Sequence, residues 1–485
     1  MLWSGRYVFR MFTGTVQTFK TLPNGTSFPV NSANQRSSRI VIFASAVAAI
    51  GGFLFGYDTA VINGANTFLQ SHFNLDPDRD AMLIGLATAS AILGCIPGAM
   101  SAGFISDKFG RRRVLFFCAI LYGLSGILSA IPQTFVQFIA ARFLSGLAIG
   151  VSSMICPVYI AELAPPKWRG RLGSLFQLGI VTGIFVTLFI NGWIQRPADP
   201  AWNIAYGWRW MLAAEAVPAF VFLVLLVPIP ESPRWLIQAG REHEARAILD
   251  RVGGKDYSTD EIASVKQVLQ AENGSLGELF SASYRLPLLI AFVLMAGSQF
   301  SGINAIMYYS TEIFKSATGN ADAAFNSSVW IGFVNLIATF IAIALVDKAG
   351  RKPLLLSGNL IQVVALVMVG FIYAHNPHSP ALLGFVILYI AAFAMAMGPL
   401  PWIVCSEIFP AKLRGRAMSV ATLFIWIGCL LVAQTFPYLL KHIGPAHTFW
   451  IYGACSAVTF GFILFRLPET KGRTLEEIEL SWRRK

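Results

Sequence analysis

The chain has 485 residues, of which 55% are hydrophobic and only 13% charged, with a formal net charge of +12 and a mean hydropathy of +0.61. A soluble core of this length cannot bury so much apolar surface, so lipid is the expected solvent. The positive charge does not point to nucleic acid, because the lysines and arginines sit in particular joints between apolar runs and not along one face.

Residues 1–38 lack Asp and Glu and hold scattered Arg, Lys, Ser and Asn. They read as an unstructured cytoplasmic tail; a transit peptide, or a true start at Met11, are the other readings. Apolar runs of about 20 residues then recur as far as Arg466, each long enough to cross a bilayer core of roughly 30 Å as a helix. The expected spans in the N-terminal half (39–228) are 39–64, 81–106, 113–131, 133–160, 171–193 and 209–228. In the C-terminal half (284–466) they are 284–314, 326–346, 353–374, 380–405, 417–439 and 446–466. The fold class is therefore all-α integral membrane, with twelve transmembrane helices. Between the halves, 229–283 is polar, with helix-like stretches at His243–Asp250 and Glu261–Ala271. It is either a surface linker or a set of short helices bracing the inner face. Residues 467–485 form a short C-terminal tail.

The joints Asp107–Arg113, Lys167–Arg171, Asp347–Lys352 and Lys412–Arg416 are rich in Lys and Arg and alternate with joints that are poor in them. The positive-inside rule makes these joints cytoplasmic, and with them both termini and the linker. The six cysteines (Cys95, Cys118, Cys156, Cys405, Cys429, Cys455) lie in or beside apolar segments without metal-ligand spacing. They read as packing residues, and no metal or cofactor is expected. No nucleophile motif or paired catalytic constellation argues for an enzyme.

Three motifs repeat, in the same order and at nearly one spacing. Ser106-Asp107-Lys108-Phe109-Gly110-Arg111-Arg112 returns as Val346-Asp347-Lys348-Ala349-Gly350-Arg351-Lys352. The stretch from Ala161-Glu162 to Arg169-Gly170-Arg171 returns as Ser406-Glu407 to Arg414-Gly415-Arg416, and Pro230-Glu231-Ser232-Pro233 is echoed by Pro468-Glu469-Thr470-Lys471. Two six-helix halves in the same orientation follow, with a substrate site between them near the midplane.

An ionisable residue inside a span costs several kcal/mol by insertion scales and so marks a candidate site. Asp58 lies about 28 Å along the first helix from Arg39, past the middle of the membrane. Arg142, in the fourth span, reaches a similar depth, so the two can meet; a proton arriving on Asp58 would weaken that pair and free the helices to move. A static packing pair is the plainer reading. Glu215 in the sixth span is a weaker candidate, with a structural hydrogen bond as its alternative. Gln177, Gln299, Asn304 and Asn335 are amides in central spans, where they suit a hydroxyl-rich ligand, and Trp402 and Trp426 offer faces for a sugar ring. Taken singly, each is more often a helix–helix hydrogen bond or an interfacial aromatic.

Gly51 to Asp58, Gly110-Arg111-Arg112, Gly350-Arg351-Lys352, Pro230 to Leu236, Gln299 to Asn304, Gly398-Pro399-Leu400-Pro401-Trp402 and Pro468 to Gly472 together resemble the sugar porter family of the major facilitator superfamily, over about 39–475. The resemblance implies the major facilitator fold and alternating access around a monosaccharide. It makes Asp58 the protonatable residue of a symporter and Arg142 its partner, since passive members usually carry an amide at that place. It makes Phe55, Gln177, Gln299, Asn304, Asn335, Trp402 and Trp426 the sugar ligands and walls. Glu162, Arg169, Glu407 and Arg414, with Asp107, Arg111, Asp347 and Arg351 beside them, become a cytoplasmic gate that latches the halves when the protein faces outward. Two departures stand out: Ser298 and Ile425 replace amides common in the family, so the substrate can differ from a typical hexose. The expectation is a proton-coupled monosaccharide importer of the cell membrane, acting as a monomer in the lipid bilayer without cofactors. A passive facilitator and a proton-coupled polyol (myo-inositol) carrier are the alternatives, and a sugar-sensing transceptor is a more remote one.

Overall fold

The computed structural model describes the backbone of residues 7–12, 15–21, 27–29, 32–196, 198–271, 276–318, 321–409 and 411–471. Side chains are described throughout these ranges except at 7–38, 166–167, 268–271, 276, 316–318, 321–322, 347, 411–412 and 414. The backbone near the N-terminus forms three short antiparallel strands, Tyr7–Phe12, Thr15–Thr21 and Ser27–Pro29. The expected tail of residues 1–38 otherwise lies outside the described side chains, as do residues 472–485 at the other end.

Among the described residues, 12 helices are long and apolar enough to cross a membrane. The first six are Arg39–His72, Ala81–Phe109, Arg111–Ala130, Phe135–Leu163, Trp168–Ile194 and Pro200–Leu225. The second six are Ala282–Lys315, Ala323–Val346, Arg351–His375, Ala381–Ile408, Gly415–His442 and Gly444–Arg466. Each half has an even number of spans, so both ends of the bundle and the linker share one face, here called the terminal face. The linker carries short helices, Pro233–Gln238, Glu242–Gly253 and Lys255–Ala271. Trp235, Leu236, Ala245, Leu249 and Ile262 give them a small core, and the Trp235 indole N–H donates to the Asp107 carbonyl at 2.9 Å. The linker thus braces the terminal face of the first half.

The first span is longer than its apolar run and continues to His72. The residues that end the run are Asn63, Asn66 and Gln70, spaced to share one helical face. Their amide N–H groups are engaged by the seventh span: Asn63 donates to Ser310 Oγ at 2.9 Å and accepts from the Thr311 N–H at 3.0 Å. Asn66 and Gln70 both donate to Glu312 Oε1, at 2.9 and 2.8 Å.

Three spans are interrupted. Pro218 cannot donate to the carbonyl four residues back, and the sixth span has a turn at Ala214-Glu215. The seventh is broken between Phe300 and Ile303, where Gly302 takes a φ of +85°, a conformation that favours glycine. The tenth divides into Ala381–Met395 and Leu400–Ile408 at Gly398-Pro399-Leu400-Pro401.

Within the first half the backbones approach closely. A Cβ on Gly146 of the fourth span would lie 1.8 Å from the Ala91 carbonyl oxygen of the second, and one on Gly56 would lie 1.9 Å from that of Ile180. Small residues at such crossings are how membrane helices gain dispersion contact without a hydrophobic driving force. Gly146→Ala is therefore expected to destabilise the folded protein by about 1–3 kcal/mol, the range for overpacking. Thermal unfolding in detergent measures this, and an unchanged Tm would mean that the contact yields freely.

The halves meet mainly away from the terminal face. Besides the first-to-seventh contacts, Gln434 donates to the Met82 carbonyl at 2.7 Å, Gly332 abuts Phe185, and Lys441 lies 3.8 Å from Asp78. These links between the halves lie on the side opposite the terminal face. The opposite face is closed in this conformation.

Candidate functional site

The first span brings Phe55, Asp58 and Thr59 to one face, because they are three and four residues apart. Asp58 is 1% exposed and Arg142, from the fourth span, is 2% exposed. The Arg142 guanidinium donates through Nη1 to Asp58 Oδ1 and through Nη2 to the Asp58 carbonyl at 3.3 Å. Ser145 Oγ donates to Oδ1 at 2.7 Å. Glu215, also buried, stands beside Asp58, in the turn that interrupts the sixth span. The expected meeting of Asp58 and Arg142 is thus present. A buried pair of this kind is held by mutual need: removing one partner leaves an uncompensated charge, at about 3–5 kcal/mol.

Toward the second half lies a polar chain on the broken seventh span. Gln299 donates to Ser298 Oγ at 2.9 Å. Asn304 donates to Gln299 Oε1 and to Cys429 Sγ at 3.0 Å, and the Tyr308 hydroxyl is 3.6 Å from the same sulfur. The break at Gly302 lets residues five apart face one another. Phe55 and Trp426 pack with ring centroids 5.6 Å apart, joining the first and eleventh spans in an aromatic wall. Asn335 is buried and Gln177 half-buried; neither is hydrogen-bonded to the Gln299–Asn304 pair. Trp402 packs in a separate cluster together with Ile425.

Cys429, read from sequence as a packing residue, is buried and also serves as an acceptor for Asn304. Ser145 was not singled out in the sequence, although its spacing of three residues from Arg142 carried the signal.

At the terminal face, Arg111 grips Glu162 with two bonds of 3.0 and 3.1 Å and Asp107 with one of 3.0 Å. Ser232 Oγ donates to Glu162, and the Glu231 carboxylate accepts the Arg111 and Arg112 backbone N–H groups at 2.9 and 3.0 Å. The second half repeats this arrangement. Arg351 donates to Glu407 at 3.0 Å, Thr470 Oγ donates to Glu407 at 2.6 Å, and Glu469 accepts the Arg351 and Lys352 N–H groups at 3.1 and 3.0 Å. Glu231 and Glu469 each sit at a helix N-terminus, where a carboxylate is favoured. Burial raises the Glu469 carboxyl, but the backbone donors around it prevail and hold it below the usual Glu value.

Arg169 is exposed and makes no ion pair with Glu162 among the described residues; Arg111 and Ser232 occupy that carboxylate. The hydrogen bonds and ion pairs described for the two clusters stay inside the first half with its linker and inside the second half. The side chains of Asp347 and Arg414 lie outside the described residues.

Two pseudo-equivalent halves, an ion pair buried in the first and an amide chain in the second describe a carrier. Residues 44–482 match the family model described as "Sugar (and other) transporter". The chain belongs to the sugar porter family of the major facilitator superfamily. Its family is one of transporters and not of enzymes. This sugar porter is 40% identical over 465 residues to the arabinose–proton symporter of Bacillus subtilis, covering 96% of this chain and 99% of that one. It is 37% identical over 477 residues to the D-xylose–proton symporter of Escherichia coli, covering 92% and 97%. An inward open conformation of the xylose transporter from E. coli superimposes with a TM-score of 0.81 at 36% identity, covering 91% of this chain and 100% of that one.

Proposed function

We propose that this sugar porter imports a monosaccharide together with a proton by alternating access, as a monomer in a cell membrane, with the terminal face toward the cytoplasm. The observation that carries the reading is the buried Asp58–Arg142 pair, placed next to the Phe55–Trp426 wall where a sugar ring would stack. A proton on Asp58 removes the charge that Arg142 pairs with and so loosens the first span against the fourth. Phe55, Gln177, Gln299, Asn304, Asn335, Trp402 and Trp426 form the sugar seat. Asp107, Arg111, Glu162, Asp347, Arg351, Glu407 and Arg414 close the terminal face when the opposite face opens. Arabinose and xylose, the sugars of the relatives, lead the candidates; glucose, galactose and myo-inositol follow.

Entry of one positive charge down 100 mV releases about 2.3 kcal/mol, enough for roughly fiftyfold accumulation. The test is uptake of labelled sugars and inositol into proteoliposomes under an imposed proton gradient. Accumulation of one sugar, collapsed by an uncoupler, is expected. Purely equilibrative uptake would make the protein a passive facilitator.

A further inference from the structure

On the face opposite the terminal face, here the far face, the last turn of the first span is held from two directions. Asn66 and Gln70 donate to Glu312 of the seventh span. His72 lies two residues beyond Gln70, about 200° further round the helix, and so points the other way. There its Nε2 is 3.2 Å from Arg209 Nη2 of the sixth span. A guanidinium has donors only, so this ring nitrogen is the acceptor and the imidazole is neutral. The ring also meets the Ile204 carbonyl, which suits a proton on Nδ1. Arg209 in turn staples the joint between the third and fourth spans: Nη1 donates to the Ala130 carbonyl at 2.7 Å and Nη2 to that of Pro132 at 3.1 Å. The partners described for Arg209 are all neutral, namely these two carbonyls, that of Ala205, the His72 ring and the face of Trp208. A cavity of about 700 Å³, lined by His72, Gln133, Tyr206 and Arg209 among others, gives water a way to the ring.

We propose that His72 is a pH-sensitive clasp, which ties the end of the first span to its own half and lets go when acid on the far face protonates the ring. A proton on Nε2 needs the place of the Arg209 N–H and sets two cations side by side, so the bond does not survive it. Histidine is the side chain that ordinarily changes charge between pH 5 and 8. Because the clasp requires the neutral ring, it is complete above the titration and is lost as pH falls through it. The titratable or charged groups that share the cavity with His72 are Arg209 and Tyr206 on the sixth span, while the joint between the third and fourth spans contributes the uncharged Gln133. The fourth span presents Phe135 and Phe138, packed on Phe73. In the joints that follow the first and fifth spans, Asp76 pairs with Arg79, Asp80 accepts the Asp76 N–H, Asp199 accepts the Trp202 N–H, and Arg196 stacks on Trp202. Once released, the last turn of the first span stays bonded to Glu312 and is no longer drawn away from it as the halves part. Acid thus brakes the opening of the far face. The clasp is separate from the Asp58–Arg142 pair and does not rest on proton coupling.

The test compares the wild-type chain with His72→Gln, whose amide oxygen can accept from Arg209 but does not titrate. Spin labels at Ser71 and Val136, both exposed, read the distance from this turn to the fourth span in proteoliposomes between pH 8 and pH 5. Cys455 is replaced by alanine for this purpose, since the other five native cysteines are buried. In the wild type the ratio of long to short distances should rise at least about tenfold from pH 8 to pH 5, as expected for loss of a hydrogen bond to a charged group. In His72→Gln it should stay flat. Sugar counterflow is then measured in the unlabelled chains. The wild-type rate divided by that of His72→Gln should be near one at pH 8 and fall by up to the same tenfold at pH 5; Asp58 is common to both chains, so its own titration cancels. A wild-type distance that does not move with pH, or a His72→Gln distance that moves as much, would overturn the clasp. A counterflow ratio that stays constant across the range would overturn the brake.

Discussion

Asp58→Asn is expected to abolish concentrative uptake while leaving exchange of sugar across the membrane intact. Asparagine keeps the shape and can still accept from Arg142 and Ser145, so the local packing of the first and fourth spans should survive. It cannot take up and release a proton at neutral pH, and it leaves Arg142 buried opposite a neutral group. The loss of a partner for that charge, at about 3–5 kcal/mol, biases the two arrangements of the pair permanently and does not switch between them. Accumulation should fall from roughly fiftyfold at 100 mV to unity, as read by uptake under an imposed gradient with counterflow as the control. Accumulation unchanged in the variant would remove Asp58 as the coupling group and direct attention to its neighbour Glu215, the other buried carboxyl at the site.

Glu312→Ala should shift the conformational equilibrium by a comparable amount. Glu312 Oε1 accepts from both Asn66 and Gln70 across the halves. Hydrogen bonds to a charged group contribute about 1.5–3 kcal/mol each. Without the carboxylate, two amide groups of the first span lose their partner only when the opposite face is closed, since opening exposes them to water. A net change of about 3 kcal/mol, a little over a hundredfold, should favour the conformer open on that face. Spin labels at Ser71 and Asn326, both exposed there, would report it as a longer distance. A distance distribution identical to the wild type would show that these bonds do not hold the face shut.

The number of spans and the meeting of Asp58 with Arg142 were legible because both depend on counting. Apolar run length must match bilayer thickness, and depth along a helix follows from its rise per residue. The repeats gave notice of Glu231 and Glu469, but a repeat does not say what its members touch. That these acids cap the third and ninth spans became visible only with the chain folded. Arg169 stood in the right motif and yet faces solvent, because the carboxylate of Glu162 was already filled by Arg111 and Ser232. Asn63, Asn66 and Gln70 ended the apolar run and so shortened the expected first span; the acceptors of their amide N–H groups, roughly 245 positions away, have no local signature. Glu312 near the end of the seventh span reads as an ordinary boundary acid for the same reason.

The sequence by itself determined the solvent, the twelve crossings, the two-fold repeat and the pair of buried charges, since each is imposed by the cost of placing backbone or charge in hydrocarbon. The tertiary structure decided which polar groups find one another: which face is closed, and that Gln299, Asn304 and Cys429 form one chain. Those outcomes depend on helix rotation and on breaks such as that at Gly302, which bring together side chains whose separation along the chain carries no information about their distance in space.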